Sequence, residues 1–208
     1  MTPIASGRDS ATGTMVRLPA RIRWHGRGGQ GVVTASRLLA AASVRAGLYP
    51  LSLPEFGAER SGAPVEAHTR VDRTPPTLRS PIDTPDVVVV FDWTLLDVVD
   101  VIQGLPSAGV AVVNTTLAPE KVADRFGDPR LRIACVDGDG IAKRLLGRPI
   151  PNSPLLGALL RAYPVIELKV MEKALQAGLE ATFPARIVEA NLEALDEGYR
   201  TVRTTEPV

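Results

Sequence analysis

The run DVVVVFD at 86–92 limits the fold more than any other stretch of this chain. Its four valines and phenylalanine show neither the two-residue alternation of a half-wet strand nor the spacing of a helix. β-branched side chains favour an extended backbone, and a strand with no polar face must be covered on both sides. Central strands of parallel sheets are covered in this way, because the helices that connect them pack on both faces. The flanking sequence supplies such helices. Strands expected at 19–25, 48–53, 109–114 and 131–137 alternate with helical stretches at 29–46, 94–103 and 139–146. Val65 to Val71 alternates like a strand with one wet face, Thr74 to Pro85 is a proline-rich loop, and helices are expected at 153–162, 165–177 and 184–200. Pro154, Pro164 and Pro184 lie near the starts of those helices, where proline is tolerated. The pattern predicts an α/β fold: a Rossmann-like, doubly wound, mostly parallel sheet with helices on both faces and a helical carboxy-terminal segment. The 64–72 strand is expected as an added piece.

A chain of 208 residues suffices for one domain, expected over 16–202, with residues 1–15 read as a disordered tail. That tail has no apolar stretch, so it is not a secretory signal. No apolar run reaches the ~18 residues of a membrane span. The net charge of +1 creates no global field for nucleic acid or an anionic membrane. A cytoplasmic protein is the resulting expectation. Arg17, Arg21, Arg23 and Arg27 form a local basic cluster, most simply a solvated strand face. Cys135 is the only cysteine and lies in the apolar run LRIACVDG, which makes it a buried core residue. One cysteine and two histidines exclude an internal disulfide and any four-cysteine cluster from this chain alone, and make a histidine-rich metal site improbable.

Chemistry is expected where the strands end, since ligands of such sheets sit at their carboxyl ends. The first strand runs into HGRGGQG at 25–31, and the segment PEFG, Asp92 and Asn114 fall on the same rim. Gly26, Gly28 and Gly31 satisfy a dinucleotide fingerprint in letters and in strand–turn–helix setting. Glycines permit a tight turn, and a helix amino terminus offers unpaired N–H groups and a positive dipole to an anion. The fingerprint also needs an acidic residue at the end of the second strand for the ribose. Glu55 is near that place, but it follows Pro54 and opens a long loop. The spacing therefore leaves three readings open: a nucleotide, another anionic cofactor, or packing alone. Glu55 and Glu59 are the only acidic pair near this rim, and Arg60 beside them shapes the loop through ion pairs more readily than it performs acid–base chemistry. Gly138-Asp139-Gly140 imitates the start of a thiamine-diphosphate motif, yet the later paired asparagines are missing, and a turn leading into a short helix explains it. GxSxG, HExxH and GxxxxGK[ST] are absent from the sequence.

Four segments in order, HGRGGQGVVTASRLLA, LPEFGAERSGAPVEAHTRV, DVVVVFD and NSPLLGAL, resemble the gamma subunit or gamma domain of 2-oxoacid:acceptor oxidoreductases, such as pyruvate:ferredoxin oxidoreductase. The resemblance spans about residues 20 to 200, and GRGGQG with PEFGAERSGAPV is its most specific part. It implies an accessory subunit of a complex that converts a 2-oxoacid and coenzyme A to acyl-CoA and carbon dioxide, or the reverse. Thiamine diphosphate, Mg2+ and 4Fe–4S clusters are then expected in alpha, beta and delta-type partner subunits, with ferredoxin as acceptor and no activity in this chain alone. The resemblance implies that Gly26, Arg27, Gly28, Gly29, Gln30 and Gly31 contact the phosphates of coenzyme A or an adjoining subunit. Glu55, Glu59 and Arg60 would order the loop facing that region. Asn152 matches a late asparagine of the family, with helix capping as its plainer role. Relatives carry a second arginine where this chain has Ser61, which weakens a double-arginine clamp. The competing readings are a free-standing NAD(P)-binding oxidoreductase or nucleotide sensor, and a structural subunit whose glycine loop only packs.

Overall fold

The computed structural model describes residues 6–8, 15–55 and 62–205. Seven strands form one sheet: β3 (Ala20–Arg27), β4 (Tyr49–Glu55), β5 (Pro64–Asp72), β6 (Val87–Val90), β7 (Val110–Asn114), β8 (Arg132–Val136) and β9 (Arg203–Thr204), in the order β4-β5-β3-β6-β7-β8-β9. β1 (Ser6–Arg8), inside the stretch read as a tail, pairs with β2 (Met15–Arg17), which starts at its last residue, as a separate antiparallel ribbon; residues 1–5 and 9–14 lie outside the described ones. β3, β6, β7 and β8 pair in parallel, and β4 points the same way because two antiparallel pairings, through β5, separate it from β3. The 64–72 strand is therefore inserted between the first two strands of the expected doubly wound sheet, and the short β9 closes the far edge antiparallel to β8.

The valine run behaves as its composition requires. Val87 and Val89 enter one core and Val88 and Val90 the other, and all four are fully buried. Ile22, Trp24, Val112 and Ala134 share the first core with α1 (Val32–Arg45), α3 (Gly138–Leu146), α4 (Asn152–Ala162), α5 (Leu168–Glu180) and α6 (Ala185–Thr201). Helices α4 and α6 meet backbone to backbone. A Cβ at Gly157 would clash with Leu195 O and lie 2.7 Å from Tyr199 N, and one at Gly198 would clash with Pro154 O. The second core is thinner: Val113, Ile133 and Cys135 face Leu95, Val101 and Val122.

Local structure departs from the sequence pattern in three places. The stretch 94–103 holds only a 3-10 turn at Trp93–Asp97, because Asp92 caps it and Val98 leaves helical geometry. Between the strands expected at 109–114 and 131–137, where the sequence pattern assigns no element, lies α2 (Pro119–Phe126), an eight-residue helix that buries only Pro119 and Val122. On α1, Val44 is 61% exposed, whereas Ser36 and Ser43 are buried. Ser43 Oγ donates to Leu39 O at 2.8 Å, and Ser36 joins Ser52 and Thr69 in a hydroxyl chain that reaches Trp24 Nε1. Internal satisfaction of this kind makes serine a core residue.

Candidate functional site

The glycine loop leaves β3 at the carboxyl rim of the sheet and enters α1. A side chain at Gly26 would sit 2.9 Å from Phe91 Cβ and clash with Val32, so glycine is required there for β3, β6 and α1 to approach. Gly31 has φ 87° and forms the amino-terminal boundary of α1 without a side-chain cap. Its left-handed backbone suits glycine, and the first amides of α1 have no intrahelical acceptors. Gly28 N–H donates to Ala63 O at 3.0 Å, fastening the loop to the start of β5. Gly29 lies at φ 96° with open space around it.

Arg27, Gln30 and Asp92 form a clasp across the gap between β3 and β6. Arg27 Nε donates to Asp92 Oδ2 at 2.8 Å, Nη1 to Gly62 O at 3.2 Å and Nη2 to Thr94 Oγ1 at 3.0 Å. Gln30 donates to Asp92 Oδ2 at 3.2 Å while its own Oε1 accepts from the Arg27 amide at 2.7 Å. Thr94 donates to Asp92 Oδ1 through its amide and its hydroxyl. Burial alone would raise the Asp92 pKa, but the bonds from Thr94, Gln30 and Arg27 outweigh it and hold the carboxyl below the usual carboxylate range. An ionised carboxylate therefore sits at the point where strand order reverses, the place a pyrophosphate takes in dinucleotide-binding sheets.

The second requirement of the dinucleotide fingerprint also fails on geometry. β5 separates β4 from β3: Glu55 pairs with Glu66, and Glu66 with His25. With neighbouring strands about 4.8 Å apart, the end of β4 lies about 10 Å from the glycine loop's strand. Glu59 and Arg60 lie outside the described residues, as does the rest of 56–61.

Asn152 does reach the glycine loop. A Cβ on Gly31 would lie 3.2 Å from Asn152 Cβ. Asn152 opens α4, and its Oδ1 accepts from the Ser153 amide at 3.0 Å. Asn114 on the rim is fully employed in holding strands together: Nδ2 donates to Phe91 O at 2.9 Å, and Oδ1 accepts from Gly138 N at 2.9 Å and Asp139 N at 3.3 Å. Gly138-Asp139-Gly140 begins α3, with Asp137 as its cap accepting from the Gly140 amide at 2.9 Å.

The basic cluster is only in part the solvated face expected of it: Arg17 is exposed and Arg21 and Arg27 are half-buried, but Arg23 is not solvated. Arg23 is 5% exposed and belongs to a buried network with both histidines of the chain. Its Nε donates to His25 Nε2 at 3.0 Å, which leaves the His25 proton on Nδ1, 3.6 Å from Glu66 Oε2. Ile82 N–H donates to His68 Nδ1 at 3.2 Å, which leaves the His68 proton on Nε2, 3.4 Å from Glu66 Oε1. Burial, and then the Arg23 charge, push the His25 pKa down to about 3. Neutral imidazoles thus orient the Glu66 carboxylate beside the glycine loop. The signal in the sequence was the placement of both histidines in strand-like segments, in a chain with few other titratable groups of intermediate pKa.

Among the described residues no group of three or more His, Cys, Asp and Glu could hold a metal ion. Cys135 is fully buried, and burial raises its thiol to about 12, so it is inert as a nucleophile. No helix among the described residues is long and apolar enough to cross a membrane.

Known proteins resemble this chain in sequence and fold. The family model described as pyruvate ferredoxin/flavodoxin oxidoreductase matches residues 21–201. The pyruvate/ketoisovalerate oxidoreductases common subunit gamma of Thermococcus kodakarensis is 43% identical over 178 residues, 86% of this chain and 94% of that one. Pyruvate synthase subunit PorC of Methanothermobacter thermautotrophicus is 42% identical over 181 residues, 87% of this chain and 94% of that one. The crystal structure of pyruvate oxidoreductase subunit PORC from Thermotoga maritima is similar at a TM-score of 0.80 and 40% identity, over 90% of this chain and 98% of that one.

Proposed function

The chain belongs to the pyruvate ferredoxin/flavodoxin oxidoreductase family, among its gamma-type members, and from that premise we propose that it serves a cytoplasmic 2-oxoacid:ferredoxin oxidoreductase as a non-redox subunit that helps to bind coenzyme A. Alpha, beta and delta-type partner subunits carry thiamine diphosphate, Mg2+ and the 4Fe–4S clusters, which supply decarboxylation and electron transfer to ferredoxin. This chain contributes binding and orientation. The observation that carries the reading is the meeting of the unpaired amides at the start of α1 with Asn152 on the carboxyl rim. Amides in that setting suit a phosphate oxygen, and the Asn152 side-chain amide adds a donor beside them. Arg27 contributes indirectly: its bonds to Asp92, Gly62 O and Thr94 hold the loop in shape, and its remaining N–H groups are left for an anion.

NAD(P) fits this rim poorly, because β5 lies between β3 and β4 and takes Glu55 away from ribose reach. The test is steady-state kinetics of the assembled complex. Asn152→Ala should weaken coenzyme A use by about 1 kcal/mol, near fivefold in KM, and leave the KM for the 2-oxoacid unchanged. Equal KM values for coenzyme A in both proteins, or micromolar NADH binding by the isolated chain without a response to coenzyme A, would reject the reading.

A further inference from the structure

At the opposite end of the sheet from the glycine loop, three arginines gather around one phenol. Tyr163 follows α4 and is 6% exposed. The Arg17 guanidinium stands 5.4 Å from its ring centroid, and the Arg17 amide donates to Pro164 O at 2.8 Å. Arg132, at the start of β8, donates through Nη2 to Ala162 O. Arg21, near the start of β3, completes the group. Among the described residues the only carboxylate found with them is Asp86, and Arg21 takes both of its oxygens, Nε to Oδ2 at 3.0 Å and Nη2 to Oδ1 at 2.7 Å. Among the described residues Arg17 and Arg132 have no carboxylate partner, and Arg132 Nε is buried without an acceptor. Burial first, and then the like charge of Arg17, lower the proton affinity of Arg132. A chain of net charge +1 thus concentrates unanswered positive charge at one end.

We propose that this notch receives a carboxylate, an Asp or Glu side chain of a neighbouring subunit, held between Arg17 and Arg132. The inference rests on the reading of the chain as one subunit of a complex. The sign of the surplus charge requires an acidic partner. Arg17 and Arg132 carry like charge around the Ala162–Pro164 segment, and an anion between them relieves their repulsion. A carboxylate does so through charge-assisted bonds to both guanidinium groups. Its position at the amino-terminal end of the strands keeps docking apart from the carboxyl rim, so assembly and coenzyme A binding do not compete for the same surface.

Reconstitution of the complex from separately purified subunits tests this, with this chain's affinity measured between about 50 and 500 mM salt. The Arg17→Gln/Arg132→Gln pair should weaken association about tenfold at low salt and flatten its salt dependence, with the KM for coenzyme A in the assembled complex unchanged. Arg132 is part of β8 and its loss can disturb the fold, so Arg17→Gln, at an exposed side chain, is measured alone for a smaller change of the same kind. Unchanged affinity and salt slope in Arg17→Gln overturn the inference. So does thermal stabilisation of the free chain by inorganic phosphate that Arg17→Gln abolishes without altering docking, since the notch would then serve a small anion. If the wild-type chain joins no other subunit at all, the subunit reading itself fails and this inference falls with it.

Discussion

His25 shows how far one residue's environment can depart from its appearance in sequence. Beside Gly26 it reads as a rim residue open to a ligand, yet it is 4% exposed and committed as an acceptor to Arg23. A proton on its Nε2 would turn that bond into a clash of like charges. The folded protein therefore keeps His25 neutral down to about 3, whereas the unfolded chain takes up the proton near 6.5. The unfolded state then binds more protons than the native state below 6.5, so stability is full above that pH and falls as pH drops toward 3. At pH 4 the loss should be roughly 3 kcal/mol. Urea unfolding at pH 7.5 and pH 4.5 measures it. His25→Gln, which retains an acceptor for Arg23 but does not titrate, should lose most of the slope. An identical slope in the variant would remove His25 as the cause.

At the scale of elements, pattern was legible where burial is two-sided and illegible where it depends on distant partners. The 86–92 run and the glycine-to-helix turn after β3 declared themselves, because continuous valine and clustered glycine admit few backbones. α2 did not, since PEKVADRF buries only Pro119 and Val122 and its charged face conceals the helix. The insertion of β5 between β3 and β4 was also hidden: no local property of PVEAHTRVD says which strands flank it. The polar residues of the site were legible as types, not as contacts, and Asp92 was visible on the rim without its role as the acceptor that binds Arg27, Gln30 and Thr94. The insertion has a consequence for the sheet edge. Phe91 and Asp86 donate to His25 O and Arg21 O, so odd residues of β3 face β6 and even ones face β5. Following the register outward, Tyr49, Leu51, Leu53 and Glu55 bond to β5, and Pro50, Ser52 and Pro54 point away from the sheet. Two of those three outward positions have no N–H, which blocks strand addition at this edge. Pro50→Thr/Pro54→Thr should keep the fold and gain concentration-dependent self-association, visible by light scattering. A variant that stays as dispersed as the parent would show that the prolines do not guard the edge.

For the whole molecule, the sheet separates the two proposed sites. Its carboxyl rim carries the glycine loop, the Arg27–Asp92 clasp and Asn152, and its amino-terminal end carries the arginine notch around Tyr163. Neither end holds a reactive nucleophile or a metal-ligating cluster among the described residues. The proposed function has this chain act through what it holds and what it joins. Isolation of the tagged chain from its own cells, with iron, thiamine diphosphate and coenzyme A-dependent 2-oxoacid oxidation assayed on the eluate, tests that most directly. The expected result is co-elution with cluster-bearing and thiamine-bearing chains, and activity that disappears when they are stripped away. A chain that elutes alone and reduces an acceptor with pyridine nucleotide as the hydride source would contradict it.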